Sequence, residues 1–115
     1  MARYRWLVFT NCTPGSDADY NQWYDEVHVP DLLRIPGIVG VKRASVAGPQ
    51  MAMLDNGDLE LAGAERIPYR YLSVYELDTE DPKAVLAEVQ RRARTPEMEI
   101  TPLLVAAFTA LYEDR

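Results

Sequence analysis

The one histidine of the chain, His28, lies in the stretch Tyr20-Asn21-Gln22-Trp23-Tyr24-Asp25-Glu26-Val27-His28-Val29-Pro30-Asp31, with a carboxylate three residues to either side. An imidazole is the side chain that ordinarily titrates near neutral pH. Here it is a candidate general acid/base or a hydrogen-bond partner for a substrate, with Asp25 and Asp31 placed to orient the ring. His28 and Asp31 are therefore the catalytic candidates. A structural reading competes with this one. Pro30 cannot donate to the carbonyl of Glu26 and its ring crowds that turn, so His28 could instead satisfy the freed carbonyl at a kink.

The ligand-binding candidates are Tyr20, Tyr24, Arg43, Tyr71 and Tyr75. At about 100° per residue, Tyr20, Trp23, Tyr24, Val27 and Asp31 share one helical face, with His28 on its flank. Trp23 and Tyr24 read as aromatics packed on a sheet, and Tyr20 and Asp31 as a helix start and end, unless that face lines a cavity. Arg43 falls with Val39 and Val41 on one strand face. It is either a partly buried cation wanting a carboxylate from ligand or protein, or a strand-end arginine that snorkels to water. Tyr71 and Tyr75 can offer hydroxyls to a ligand, but a dimer interface is the favoured role for that row.

Other chemistries have little to stand on. One histidine and one cysteine, Cys12, provide no metal-ligand spacing. There is no Gly-rich phosphate loop and no nucleophile elbow. No cofactor is expected, and haem held by a lone His28 is the weakest alternative. Cys12 ends a strand before a helix, where a thiolate is favoured, although a lone cysteine is more often inert. At 115 residues the chain reads as a single domain, and the net charge of -6 argues against nucleic acid. No apolar run is long enough to span a bilayer, so no membrane partner is expected. The lone cysteine and the lack of a signal-like N-terminus predict a cytoplasmic protein.

The elements that must hold these residues alternate in type. A strand is predicted over Tyr4 to Asn11, with Trp6 and Val8 on one side and Leu7 and Phe9 on the other. Ser16 or Asp17 caps a helix to about Arg34, ended by Ile35-Pro36-Gly37. Further strands are predicted over Ile38 to Ala47, Tyr69 to Leu77 and Leu103 to Glu113. A second helix starts with Asp81-Pro82 and runs to about Arg94. Gly48 to Pro68 interrupts the pattern as a loop, hairpin or lid around Asp55-Asn56-Gly57. The order β-α-β-β-α-β gives an antiparallel four-stranded α+β sandwich of the ferredoxin-like kind. Two helices cover one face of such a sheet. The other face is apolar and calls for a second copy, making a homodimer.

The run Asn21-x-Trp23-Tyr24-Asp25-x-x-His28-x-Pro30-Asp31-Leu32-Leu33-x-Ile35-Pro36-Gly37, within that element order, resembles the EthD-like branch of the dimeric α+β barrel superfamily. The resemblance implies a homodimer with a ligand cavity between each sheet and its helices. Activities in the wider superfamily include cofactor-independent oxygenases, polyketide cyclases, muconolactone isomerase-like enzymes and haem-degrading enzymes. The expectation is a protein that binds a small apolar or aromatic molecule, with His28 as acid/base if it is an enzyme. The alternative is a non-catalytic accessory or binding protein of the same fold. The segment from Gly48 to Pro68 departs from the most compact members.

Overall fold

Strand β1, Arg3–Cys12, is the second strand from one edge of the sheet in the computed structural model, which describes residues 2–115. Its alternate side chains supply both faces. Tyr4, Trp6 and Val8 pack toward the helices, with Thr10 and Cys12 buried beyond them. Leu7 and Phe9 point the other way. The chain continues through β2 (Ile38–Ser45), β3 (Gln50–Met53), β4 (Leu59–Ala62), β5 (Tyr71–Asp78) and β6 (Leu104–Glu113). Four of these form one sheet in the order β2-β5-β1-β6, and β3 pairs only with β4. β5 is antiparallel to both β1 and β2, so β1 and β2 are parallel and joined by a helical crossover. This is the ferredoxin-like α+β arrangement. It forms a slab of 45 × 38 × 18 Å.

The crossover is not one regular helix. Helix α1, Asp17–Trp23, passes into a π-helical turn over Tyr24–His28, and α2, Val29–Leu33, follows with Pro30 in its first turn. Pro30 has no N–H to give to the carbonyl four residues back, and its ring pushes that carbonyl away, so the turn before it is widened. The widening moves the buried face. Regular periodicity places Val27 inward beside Tyr24 with His28 on the flank. Instead Val27 is 41% exposed and His28 only 8%. The buried positions are Tyr20, Tyr24, His28 and Leu32, four residues apart throughout. A regular helix would drift off that line, and the π turn absorbs the drift.

The tyrosine row also lies on a different face from the one expected. Tyr75 pairs with Trp6 on one side and Val41 on the other, and it is fully buried under the helices. Tyr71 and Ser73 share that face. The expected dimer-interface role for Tyr71 and Tyr75 is overturned, because the register with β1 turns them to the helix side. The opposite face carries Leu7, Phe9, Leu72, Val74 and Phe108 instead, and no helix among the described residues covers it. Phe9 lies 6.0 Å from Phe108, ring centre to ring centre, and Phe108 stacks on Tyr69 at 6.5 Å.

Two turns tie the crossover down. Gly37 has φ +100, and a Cβ there would sit 2.7 Å from Val85 Cγ2, so both the conformation and the close helix exclude a side chain. Asp81 caps α3 (Pro82–Arg92) by accepting from the Ala84 N–H at 3.1 Å. Ser16 makes no such cap on α1; its hydroxyl donates to the Thr13 carbonyl. The segment Gly48 to Pro68 holds the β3–β4 hairpin, turned at Gly57, and exposes Met51, Met53, Leu59 and Leu61.

Candidate functional site

The space between the crossover helix and the sheet is filled with polar groups on aromatic rings. Tyr24 comes down from the π turn and its hydroxyl meets that of Tyr75 at 2.9 Å. Tyr20, one turn earlier, donates to Thr10 Oγ1 at 2.7 Å. Burial pushes the Tyr20 phenol up to about 12 and raises that of Tyr75 as well. Both remain protonated and act as hydrogen-bond groups, not as bases. Tyr71 donates to Asp17, which also pairs with Arg70 at 2.7 Å. The Tyr71 hydrogen bond, with Arg70 adding to it, holds the Asp17 carboxyl below the usual carboxylate range.

Arg43 projects from β2 onto this cluster. Its guanidinium carbon lies 4.0 Å above the centre of the Tyr24 ring, a cation–π contact. Nη1 donates to Asn21 Oδ1 at 3.0 Å and to Asp25 Oδ1 at 2.9 Å, and Nε reaches Ser73 Oγ at 3.4 Å. Nη2 is buried with no hydrogen-bond partner among the described residues. The arginine therefore does not snorkel. It is held across the helix–sheet seam with one donor group unspent.

His28 also packs against Tyr24. Its ring stacks on Trp23 at 4.7 Å with an 18° tilt and meets Tyr24 edge-on at 4.9 Å. Nδ1 is buried and unpartnered among the described residues, so it satisfies no kink carbonyl. Burial pushes the imidazole down to about 4; Arg43 acts in the same direction and Asp31 against it. The ring is neutral at pH 7. Neither flanking carboxylate orients it, because Asp25 is paired with Arg43 and Asp31 with Arg34.

That depression has a consequence for stability. The unfolded chain takes up a proton near 6.5, whereas folded His28 resists protonation until about 4. The unfolded state thus binds more protons in that interval. His28 contributes to stability above 6.5, and the contribution is lost as pH falls toward 4. The loss is expected to reach about 3 kcal/mol. Denaturant melts across pH 7 to 4 check this. His28→Asn should flatten the slope in that window, and an unchanged slope contradicts it.

Several clefts open near these residues, and two bear on the argument. One, of about 280 Å³, is lined by Asn21, Asp25, Arg43, Ala44, Ser45 and Tyr71. The larger, of about 630 Å³, lies against Trp23 and the connection from α3 to β6. His28 lines neither. Of the residues singled out from sequence, Tyr20, Tyr24, Arg43, Tyr71 and Tyr75 come together around one seam, with His28 against Tyr24. Asp31 does not join them. Asn21, Thr10 and Ser73 complete the cluster and were not anticipated. Ser73 had a signal, as the one small polar residue in the row Tyr71-Ser73-Tyr75. No helix among the described residues is long and apolar enough to cross a membrane.

No protein-family model matches the sequence, and no curated protein matches it. Solved structures do. A "putative monooxygenase" from Shewanella loihica PV-4 is 17% identical, covering 97% of this chain and 94% of its own, with a TM-score of 0.51. An ethyl tert-butyl ether D (EthD) family protein from Bacillus halodurans C-125 is 13% identical over 96% of this chain and 97% of its own, TM-score 0.45. A dimeric ferredoxin-like protein of unknown function from Thermobifida fusca YX is 17% identical over 96% and 90%, TM-score 0.47. With the strand order, the Shewanella likeness establishes the fold: the chain is a ferredoxin-like α+β domain, and an EthD family protein is among the solved structures it is similar to.

Proposed function

We propose that this protein binds a small, mostly apolar or aromatic molecule at the seam between its crossover helix and its sheet, and that it catalyses a cofactor-independent proton transfer there. The observation that carries the reading is the pair of buried, unpartnered nitrogens, His28 Nδ1 and Arg43 Nη2, packed against the same Tyr24 ring. Folded proteins leave few buried polar atoms unmatched, and two on residues that contact one ring suit a ligand. Neutral His28 is the base. Arg43 stabilises the enolate or phenolate oxygen that forms when a proton leaves an activated ring or ketone. Tyr24, Tyr75, Tyr20 and Tyr71 provide hydroxyls and ring faces. Asp31 acts only through its charge, which favours the protonated imidazole. The reaction class is an isomerase, cyclase or oxygenase-like step.

A second reading, a binding protein without catalysis, has its own support: His28 lines neither cleft and its pKa of about 4 makes it a weak base in the free chain. In both readings a second copy covers the open sheet face, and the acidic charge and single buried cysteine suit a cytoplasmic protein that avoids nucleic acid. A thermal-shift screen of aromatic and ketide-like acids is the test. A ligand that raises the melting temperature of the wild type but not of Arg43→Gln is expected. A screen in which no ligand distinguishes the two proteins would overturn the site.

A further inference from the structure

The larger cleft contains none of the residues discussed so far except Trp23. It is built by the connection between α3 and β6, and that connection has an unusual backbone. Arg94 has φ +65, the only left-handed non-glycine residue described. Such a position ordinarily belongs to glycine or asparagine, because the Cβ of other residues crowds the following carbonyl. The turn is nevertheless fixed. The Arg94 N–H donates to the Met98 carbonyl at 2.8 Å, Thr95 Oγ1 donates to the Arg92 carbonyl at 2.6 Å, and Met98 is buried as the anchor.

This turn sorts the charges at the end of α3. Arg91 and Arg92 are spent on Glu88 and Glu97. Arg94 and Glu99, which line the cleft, make no ion pair or side-chain hydrogen bond among the described residues. Trp23, Ile100, Pro96 and Pro102 line the same cleft. At about 630 Å³ the cleft falls in the range of small-molecule pockets. A left-handed backbone that presents an exposed cation with no ion-pair partner at a cleft also lined by an indole is a feature to be read for function.

We propose that this cleft is a second small-molecule site, separate from the Arg43 seam, for a planar aromatic acid: its ring lies against Trp23, its carboxylate meets Arg94, and a ring hydroxyl donates to Glu99. The charges select the class. A guanidinium pairs with a carboxylate through charge-assisted hydrogen bonds. A lone carboxylate nearby disfavours a purely anionic ligand and accepts from a hydroxyl. The apolar walls match a ring. The proposal stands whether or not the Arg43 seam binds anything.

The test uses the whole chain and 4-hydroxybenzoate, with its neutral methyl ester as control. The side-chain indole N–H signal of Trp23 is followed by NMR in wild type and Arg94→Gly. The acid is expected to shift that signal saturably. Binding should weaken roughly tenfold for the ester and for the variant, the loss of one charge-assisted contact. Glycine suits φ +65, so Arg94→Gly should melt no lower than wild type. The ester series on wild type keeps the test independent of the variant. No saturable shift at millimolar acid overturns the proposal. So does equal binding of acid and ester, equal binding by Arg94→Gly, or shifts confined to Asn21, Arg43 and Tyr71.

Discussion

Phe108→Asp is expected to turn a dimer into a monomer. The single chain of 13.0 kDa leaves Phe108 55% exposed on an apolar sheet face that no helix among the described residues covers. Phe9 and Tyr69 pack beside it, so the face is a continuous aromatic patch. A second copy related by a two-fold axis would cover it and bring each Phe108 into the joint. An aspartate there becomes a buried, unpaired charge at a cost of several kcal/mol, and symmetry imposes it twice. Dissociation should become easier by on the order of 10⁴-fold. The side chain is already half exposed within one chain, so the variant should keep its own fold. Light scattering at micromolar concentration should give twice the chain mass for wild type and once for the variant, with matching circular dichroism. A monomeric wild type, or a variant that stays dimeric, contradicts the shared-sheet arrangement.

The second large effect concerns His28. If His28 is the base, His28→Asn should lose roughly 10²–10⁴-fold in turnover on a substrate of the screened class, the usual size of such a contribution. The fold should survive. Nδ1 has no hydrogen bond to lose, so the cost at neutral pH is packing against Trp23 and Tyr24. Below pH 6.5 the penalty should shrink, because the neutral amide escapes the protonation cost of the buried imidazole. A melt and a turnover assay on the same protein separate the readings. A lowered melting temperature with unaltered turnover would end the catalytic role and favour the accessory protein.

The architecture could be read from residue patterns because each strand carries its own alternation and the helix breakers Pro30, Pro36 and Pro96 punctuate the chain. What sequence periodicity could not supply was register. Tyr71 and Tyr75 share a face at any register, but which face follows from pairing with Trp6 on β1, a contact far away in sequence. His28 replaced Val27 in the core because the turn before Pro30 opened into a π helix, and a fixed angle per residue cannot express that. For Arg43 the sequence left a carboxylate partner and a snorkelling tip both open, and its partners Asn21 and Asp25 lie on a helix that only the tertiary fold brings near. The Arg94 turn had no local signal, since nothing in Ala93-Arg94-Thr95 suggests a left-handed residue.

The proposed function requires that the helix–sheet seam around Arg43 receive a ligand. Titration calorimetry of an acid found by the thermal-shift screen, into wild type and Arg43→Gln side by side, tests it most directly. Glutamine retains a hydrogen-bonding tip but removes the cation over Tyr24 and the unspent Nη2. Saturable binding to wild type is expected, with a loss of roughly tenfold or more in the variant, the scale of a hydrogen bond to a charged group. Equal affinity for the two proteins that persists when both also carry Arg94→Gly, so that the cleft between α3 and β6 does not contribute, or no acid that binds wild type, would contradict it.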